Sequence, residues 1–247
     1  HHLLRIIPGN GLIIVNAEDA HLAEVLAMGC WSRVESFGMD TGDWRARLLE
    51  ADGSVFEVTH RGCLIGTIHW PLLGRHNVMN ALAALAAVQA LGADPASVLA
   101  AFAEFRSVKR RMEQIAKHAG VVVYDDFAHH PTAIETTLTG LRAKVGNARI
   151  LVAIEPRSNS MRLGAHAAQL APSLSGADRV FLLRRPELPW DADKVIAQLD
   201  GRAQAVADVD ALLDALHAAT RPGDHVVFMS NGGFESAPRR FADRLKA

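Results

Sequence analysis

From residue 121 to residue 246 short apolar runs alternate with segments of helical period, and this alternation restricts the fold more than any other feature of the chain. The runs fall at 121–124, 149–154, 179–183, 203–206 and 225–229, and the helical segments at 131–145, 163–175, 192–199, 208–219 and 235–246. Strands separated by helices run mostly parallel, because each helix carries the chain back across the sheet. An α/β fold with a doubly wound sheet is therefore expected here. Local signals agree: Asp208 caps a helix that presents Val209, Leu212, Leu213 and Leu216 on one face, and Pro222-Gly223-Asp224 turns into the last strand.

The first part reads differently. Leu12 to Asn16 is a buried-type strand, and the helix after it carries Leu22, Val25 and Leu26 on one face. Between Arg33 and Ile68 the period shortens to alternation, with Asp52-Gly53 as a hairpin turn, which predicts a small antiparallel insert. An alanine-rich helix follows with Val78, Leu82 and Leu85 inward, ended by Gly92, and Asp94-Pro95 opens another to about Phe105. The basic stretch Arg106 to Arg111 then separates two domains, 1–108 and 109–247. The first is short of strands and is expected to expose apolar surface.

With 49% apolar residues the chain can supply two cores. A net charge of −1, with no basic run beyond Lys109-Arg110-Arg111, argues against nucleic acid or an anionic membrane as partner. No apolar run approaches the roughly 18 residues of a membrane span. Cys30 and Cys63 are isolated thiols, which fits a reducing, cytoplasmic setting.

Chemistry-bearing residues gather at predicted strand ends, where open α/β sheets place their sites. Asp125, Asp126, His129 and His130 lie between strand 121–124 and a helix opened by Pro131. Glu155-Pro156-Arg157-Ser158-Asn159-Ser160-Met161-Arg162 follows the next strand, and Ser230-Asn231-Gly232-Gly233-Phe234 the last, where glycines permit positive φ. If the strands 121–124 and 149–154 are neighbours, Asp126 and His129 share a crevice with Arg157 and Asn159. In the first domain His76, Asn77 and Asn80 fall on the first turn of a helix, where a carboxamide suits the edge of an adenine ring and also suits helix capping. Lys109-Arg110-Arg111 is either a phosphate clamp or a solvated linker. Neither GxxxxGK(S/T) nor GxGxxG after a strand is present, so nothing here cradles a triphosphate unaided. Adjacent His129 and His130 point apart, and no residues are assigned to a metal; a binuclear hydrolase site needs more carboxylates than this loop supplies.

Taken together, Gly74-x-His76-Asn77-x-x-Asn80, Arg110-Arg111 and Asp125-Asp126-Phe127-Ala128-His129-His130-Pro131-Thr132 resemble the ATP-dependent Mur ligases of peptidoglycan synthesis in residues, order and spacing. Glu155 to Met161 and Met229 to Phe234 look most like the muropeptide-recycling branch, which joins UDP-N-acetylmuramate to the tripeptide L-alanyl-γ-D-glutamyl-meso-diaminopimelate. The branch that adds L-alanine shares the Asp-Asp-aromatic-x-His-His-Pro-Thr stretch and is the alternative, as is a non-catalytic peptide- or nucleotide-binding module. The resemblance implies that 1–108 is the tail of the central ATP-binding domain and 109–247 the Rossmann-like domain for the amine substrate. The phosphate loop and Mg²⁺ ligands are expected upstream of His1, and this chain alone is expected to be inactive. It further implies that His76, Asn77 and Asn80 hold adenine, Arg111 a phosphate and Asp126 the ribose. His129 is placed near the transferring phosphoryl group, making His129 and Asp126 the catalytic candidates, and Arg157, Ser158, Asn159 and Asn231 line the tripeptide pocket. One departure stands out: Glu235-Ser236 occupies the place where the recycling branch is expected to have a glycine pair.

Overall fold

The computed structural model describes residues 1–157, 163, 166–184 and 190–246, which divide into compact units at 1–106 and 107–247. In the first unit β1 (Leu12–Asn16), β2 (Arg33–Gly38), β3 (Trp44–Leu48), β4 (Val55–His60) and β5 (Cys63–His69) form one sheet in that order. Ahead of β1 lies α1 (His2–Ile6), and α2 (Ala20–Ala27) returns the chain so that β1 and β2 are parallel. The pairing of β2 with β3 is parallel too, and only β3 to β5 are antiparallel. The antiparallel part is thus narrower than 33–68 and continuous with β1: alternation in β2 reports a half-buried strand, while the intervening helix sets its direction.

Helix α3 (Arg75–Ala90) buries Val78, Ala81, Leu82, Leu85 and Ala86 in a core with Trp44, Phe56, Val58 and Ile68. The segment after Asp94-Pro95 is a 3-10 helix, Pro95–Phe102, not an α-helix; the Asp94 carboxylate accepts from Ala96 N at 3.1 Å. Neither α1 nor α2 has a fully buried residue. Leu3, Ile6, Met28 and Trp31 are exposed, and an apolar cleft of about 430 Å³ is lined by Leu3, Leu4, Leu12, Ile14, Leu22 and Leu26 among others.

The second unit holds a six-stranded sheet. Its strands are β6 (Glu113–His118), β7 (Val121–Asp126), β8 (Ile150–Ile154), β9 (Arg179–Leu183), β10 (Ala203–Val206) and β11 (His225–Met229), in the order β10-β9-β8-β11-β7-β6. All pairs are parallel except β6 with β7. Strands 121–124 and 149–154 are therefore not neighbours: β11 lies between them. Edge strand β6 has no apolar run to betray it, with only Ile115 and Ala116 half-buried against the core.

Helices α4 (Pro131–Val145), α5 (Ala167–Ser173) and α6 (Ala192–Ala197) cover one face. The other is covered by α7 (Val209–Ala219) and α8 (Ala237–Arg244). Most of the expected helix start at 163 lies outside the described residues. The last helix begins at Ala237 rather than 235 because Phe234, Glu235 and Ser236 adopt left-handed φ values of 46°, 48° and 58°. Among the described residues no helix is long and apolar enough to cross a membrane.

Leu212 is fully buried in α7 whereas Leu91 is 88% exposed. Leu212→Ala is expected to cost about 2–5 kcal/mol in urea unfolding and Leu91→Ala less than about 0.5 kcal/mol. Equal losses would show that the α7 face is not packed as described.

Candidate active site

Register fixes the site in the second unit. Met229 of β11 pairs with Asp126 on one side and with Ile154 on the other, so three strands end level. Backbone bonds continue past the strands: Ser230 N donates to Asp126 O at 3.2 Å, and Glu155 N to Met229 O at 3.0 Å. The loops that carry Asp125 to His130, Ser230 to Phe234 and Glu155 to Arg157 consequently rise side by side. Order along the edge differs from the sequence expectation, since Asn231 lies between the Asp126 and Arg157 loops.

Asp126, 3% exposed, accepts from Ala128 N and Met112 N, each at 2.7 Å and each on a different oxygen. It thereby ties the approach to β6 to the loop after β7. Burial raises its pKa above the ordinary carboxylate value, and the two N–H donors offset this only in part. Asp125 is likewise raised by burial, against the opposing pull of Arg110. The Arg110 guanidinium binds Asp125 Oδ1 at 3.3 Å and the Ser230 carbonyl at 2.5 Å. Arg111, exposed, has no ion pair among the described residues; both guanidiniums lie over the Phe127 ring, at 5.4 and 5.5 Å from its centroid. Such stacking holds an arginine plane without neutralising its charge.

His129 Nδ1 lies 2.8 Å from the Phe127 carbonyl, an arrangement in which Nδ1–H donates and Nε2 is left as the acceptor. His130 does different work: its Nδ1 accepts from Thr132 N at 3.3 Å, capping α4, and its ring packs edge-on against His166 at 4.3 Å. On the β8 and β11 ends Ser230 Oγ donates to Glu155 Oε2 at 2.7 Å and accepts from Gly232 N at 2.9 Å. Ser230 and Glu155 are 1% and 2% exposed. The Asn231 carboxamide oxygen is buried with no hydrogen-bond partner. Arg157 is exposed and has no ion pair among the described residues. Ser158 and Asn159 lie outside the described residues. Neither Gly232 nor Gly233 has positive φ, contrary to the reason given for them above; the left-handed residues are the three that follow.

In the first unit α3 opens at Gly74, φ 88°, without a side-chain cap. Asn77 donates back to Leu73 O at 2.7 Å, and Asn80 Nδ2 lies 3.5 Å from Asn77 Oδ1, so the carboxamides share one face. His76 and Asn80 are exposed. Arg75 binds Glu18 at 3.1 Å and Asp40 at 2.8 Å, and Glu18 also accepts from Met39 N and Asp40 N. Burial acts to raise the Glu18 pKa, but these donors outweigh it and bring the carboxyl below its ordinary value.

Sequence reasoning missed Arg110, Glu155 and Ser230 as individual participants. Each was within a quoted motif, but only burial and pairing distinguish Arg110, which is engaged, from Arg111, which is not.

Residues 1–88 match the model of the Mur ligase middle domain, and residues 110–232 that of the Mur ligase glutamate ligase domain. The chain belongs to the Mur ligase family. Over 246 residues, 99% of the chain, it is 45% identical to the UDP-N-acetylmuramate–L-alanyl-γ-D-glutamyl-meso-2,6-diaminoheptandioate ligase of Escherichia coli, covering 54% of that protein. With a UDP-N-acetylmuramate–L-alanine ligase of Kineococcus radiotolerans it shares 35% identity over 89% of the chain and 49% of the relative. The crystal structure of a murein peptide ligase from Psychrobacter arcticus superposes with a TM-score of 0.72 at 37% identity, over 99% of this chain and 53% of that one. This Mur ligase chain thus spans about half the length of the curated relatives it matches.

Asp126→Ala leaves the buried Ala128 N–H without a partner, and is expected to cost about 1–3 kcal/mol from that group alone. A raised carboxyl pKa favours the protonated folded form. Its contribution to stability therefore falls as pH rises from about 4, the unfolded value, through the raised folded value. Urea unfolding from pH 4 upward should show this decline in the parent and a shallower one in Asp126→Ala; identical slopes would refute the assignment.

Proposed function

We propose that the protein carrying this chain is an ATP-dependent acid–amino-acid ligase of the recycling kind, joining UDP-N-acetylmuramate to L-alanyl-γ-D-glutamyl-meso-diaminopimelate in the cytoplasm. The relatives of that description support the reading, and one observation carries its amine half. The level ends of β8 and β11 offer an unpartnered buried acceptor, Asn231 Oδ1, and an exposed cation, Arg157, that has no ion pair among the described residues. An amine N–H and a carboxylate are the groups that such a pair accepts.

In this reading 1–108 is the tail of the central ATP-binding domain and 109–247 the amine-substrate domain. His76, Asn77 and Asn80 are assigned to adenine and Arg111 to a phosphate. Asp126 is assigned to the ribose hydroxyls through the two lone-pair positions that Met112 and Ala128 leave open. The sugar's carboxylate oxygen attacks the γ-phosphorus and ADP leaves, giving an acyl phosphate. The peptide amine then attacks the acyl carbon, phosphate departs and the ammonium proton is lost. This chemistry is mainly positioning and charge stabilisation, so His129 is assigned to a contact near the phosphoryl group, and Arg157, Ser158, Asn159 and Asn231 to orienting the peptide. Mg²⁺, when bound, screens the phosphates. The described residues gather no group of three or more His, Cys, Asp or Glu that could hold it.

Calorimetric titration tests the amine half. The tripeptide is expected to bind and L-alanine not, and Arg157→Ala to weaken the tripeptide by about tenfold or more, the loss of one charge-assisted bond. Binding of L-alanine instead would move the chain to the alanine-adding branch, and binding of neither would withdraw the amine-domain assignment. Incubated with ATP, UDP-N-acetylmuramate and tripeptide, the 247-residue chain by itself is expected to release no phosphate.

A further inference from the structure

We infer that Gly232 is a specificity-determining residue: the space where its side chain would stand is the seat on which Arg157 is laid toward a carboxylate of the amine substrate. The inference rests on the assignment of Arg157 to that substrate. A Cβ built on Gly232 would lie 2.3 Å from Arg157 Cδ, 2.7 Å from Nε and 2.8 Å from Nη1, closer than real Cβ atoms come to anything. The backbone itself does not ask for glycine, because φ at 232 is outside the left-handed region. The three nearest atoms all belong to the Arg157 side chain, so a Cβ at 232 requires that side chain to shift.

The neighbouring glycine supplies the contrast. Gly233 is helical, φ −72° and ψ −11°, and a Cβ on it would meet nothing within 4 Å. Of two adjacent glycines, one could be alanine without meeting a neighbour and the other only by moving Arg157.

Which partner would yield in a collision follows from the bonding. Gly232 N is fixed to Ser230 Oγ, and Ser230 Oγ to the carboxylate of Glu155, two residues before Arg157. Backbone 232 and the end of β8 thus form one hydrogen-bonded unit through the buried Ser230 and Glu155 side chains. The exposed Arg157 side chain, with no ion pair among the described residues, is the part free to move. An added methyl group would therefore displace the guanidinium and leave the sheet intact.

The experiment uses the 247-residue chain and its Gly232→Ala, Gly233→Ala, Arg157→Ala and Gly232→Ala/Arg157→Ala variants. Each is titrated calorimetrically with the tripeptide and with the analogue whose diaminopimelate and glutamate carboxylates are carboxamides. Gly232→Ala is expected to weaken the tripeptide by about tenfold, as Arg157→Ala does, and to abolish the preference for carboxylate over carboxamide. Gly233→Ala should bind within about twofold of the parent, and the double variant should bind like Arg157→Ala alone, because coupled residues are not additive. In nitrogen-15 spectra the Arg157 Nε–H signal, identified by its loss in Arg157→Ala, should shift in Gly232→Ala and stay in Gly233→Ala. Parent-like binding by Gly232→Ala, a double variant weaker than Arg157→Ala, or an unmoved Arg157 signal would each overturn the inference. A parent chain without affinity for the tripeptide would remove the substrate assignment and with it the specificity role, while a shifted signal would still separate that failure from a failure of the seating.

Discussion

The insertion of β11 between β7 and β8 is the constraint on which the rest of the carboxyl-terminal unit depends. A central parallel strand must satisfy its backbone on both edges, and β11 does so with Asp126 on one side and Ile154 on the other. The same ladder runs one residue beyond the strands, through Ser230 N to Asp126 O and Glu155 N to Met229 O. Three chemically rich loops are thereby held level by main-chain bonds, independent of what their side chains do. Side chains that do not brace these loops are then left available, which is how a site can be built on rigid elements.

Acidic and basic residues divide that labour. Asp126, Glu155 and Glu113 each accept from a hydrogen-bond donor of the scaffold, Asp126 and Glu113 from backbone N–H groups and Glu155 from the Ser230 hydroxyl. Arg110 is committed too, to Asp125 and the Ser230 carbonyl. Arg111 and Arg157, by contrast, are exposed and form no ion pair with a described residue. The amino-terminal unit repeats the arrangement, with Glu18 accepting from the turn after β2 and from Arg75 beside the start of α3. A chain with a net charge of −1 can in this way present local positive sites, because the carboxylates nearest to them are committed to donors of the scaffold. Anionic groups such as phosphates and carboxylates are the ligands such a distribution favours.

The alternation of apolar runs and helices was sufficient for the α/β class and for every parallel strand of the second unit, since burial on both faces leaves a continuous apolar signature, as in Ile150–Ile154. Strand order was not legible, because the placement of β11 beside β7 is a pairing across about a hundred residues that no local pattern records. Strand β6 escaped for the opposite reason: an antiparallel edge strand needs few apolar residues, and Glu113–His118 has few. The motifs were legible as residue types, yet not their division into structural and ligand-facing members. Arg110 and Arg111 are adjacent and identical in type, and only the partners each finds in three dimensions separate them. His129 and His130 part in the same way, one fixed by a carbonyl in the loop and the other spent as a helix cap.

The glycine-rich turn after β11 shows why motif and geometry must be read together. Gly232 and Gly233 invite an argument from positive φ, but the positive φ values belong to Phe234, Glu235 and Ser236. Three such residues in succession cost about 1–2 kcal/mol each relative to ordinary conformations. Phe234, 1% exposed and 5.8 Å from the ring of Phe228, supplies burial that offsets part of this. Glu235 and Ser236 are exposed and bury no comparable area, yet they hold backbone angles in which glycine is at home. The resemblance leads to the expectation of a glycine pair at these positions, and Glu235 and Ser236 hold left-handed angles there without one. The strain of the turn is thus carried by two exposed residues whose side chains recover little of it by burial, while Gly232, whose φ is ordinary, lies against the Arg157 side chain.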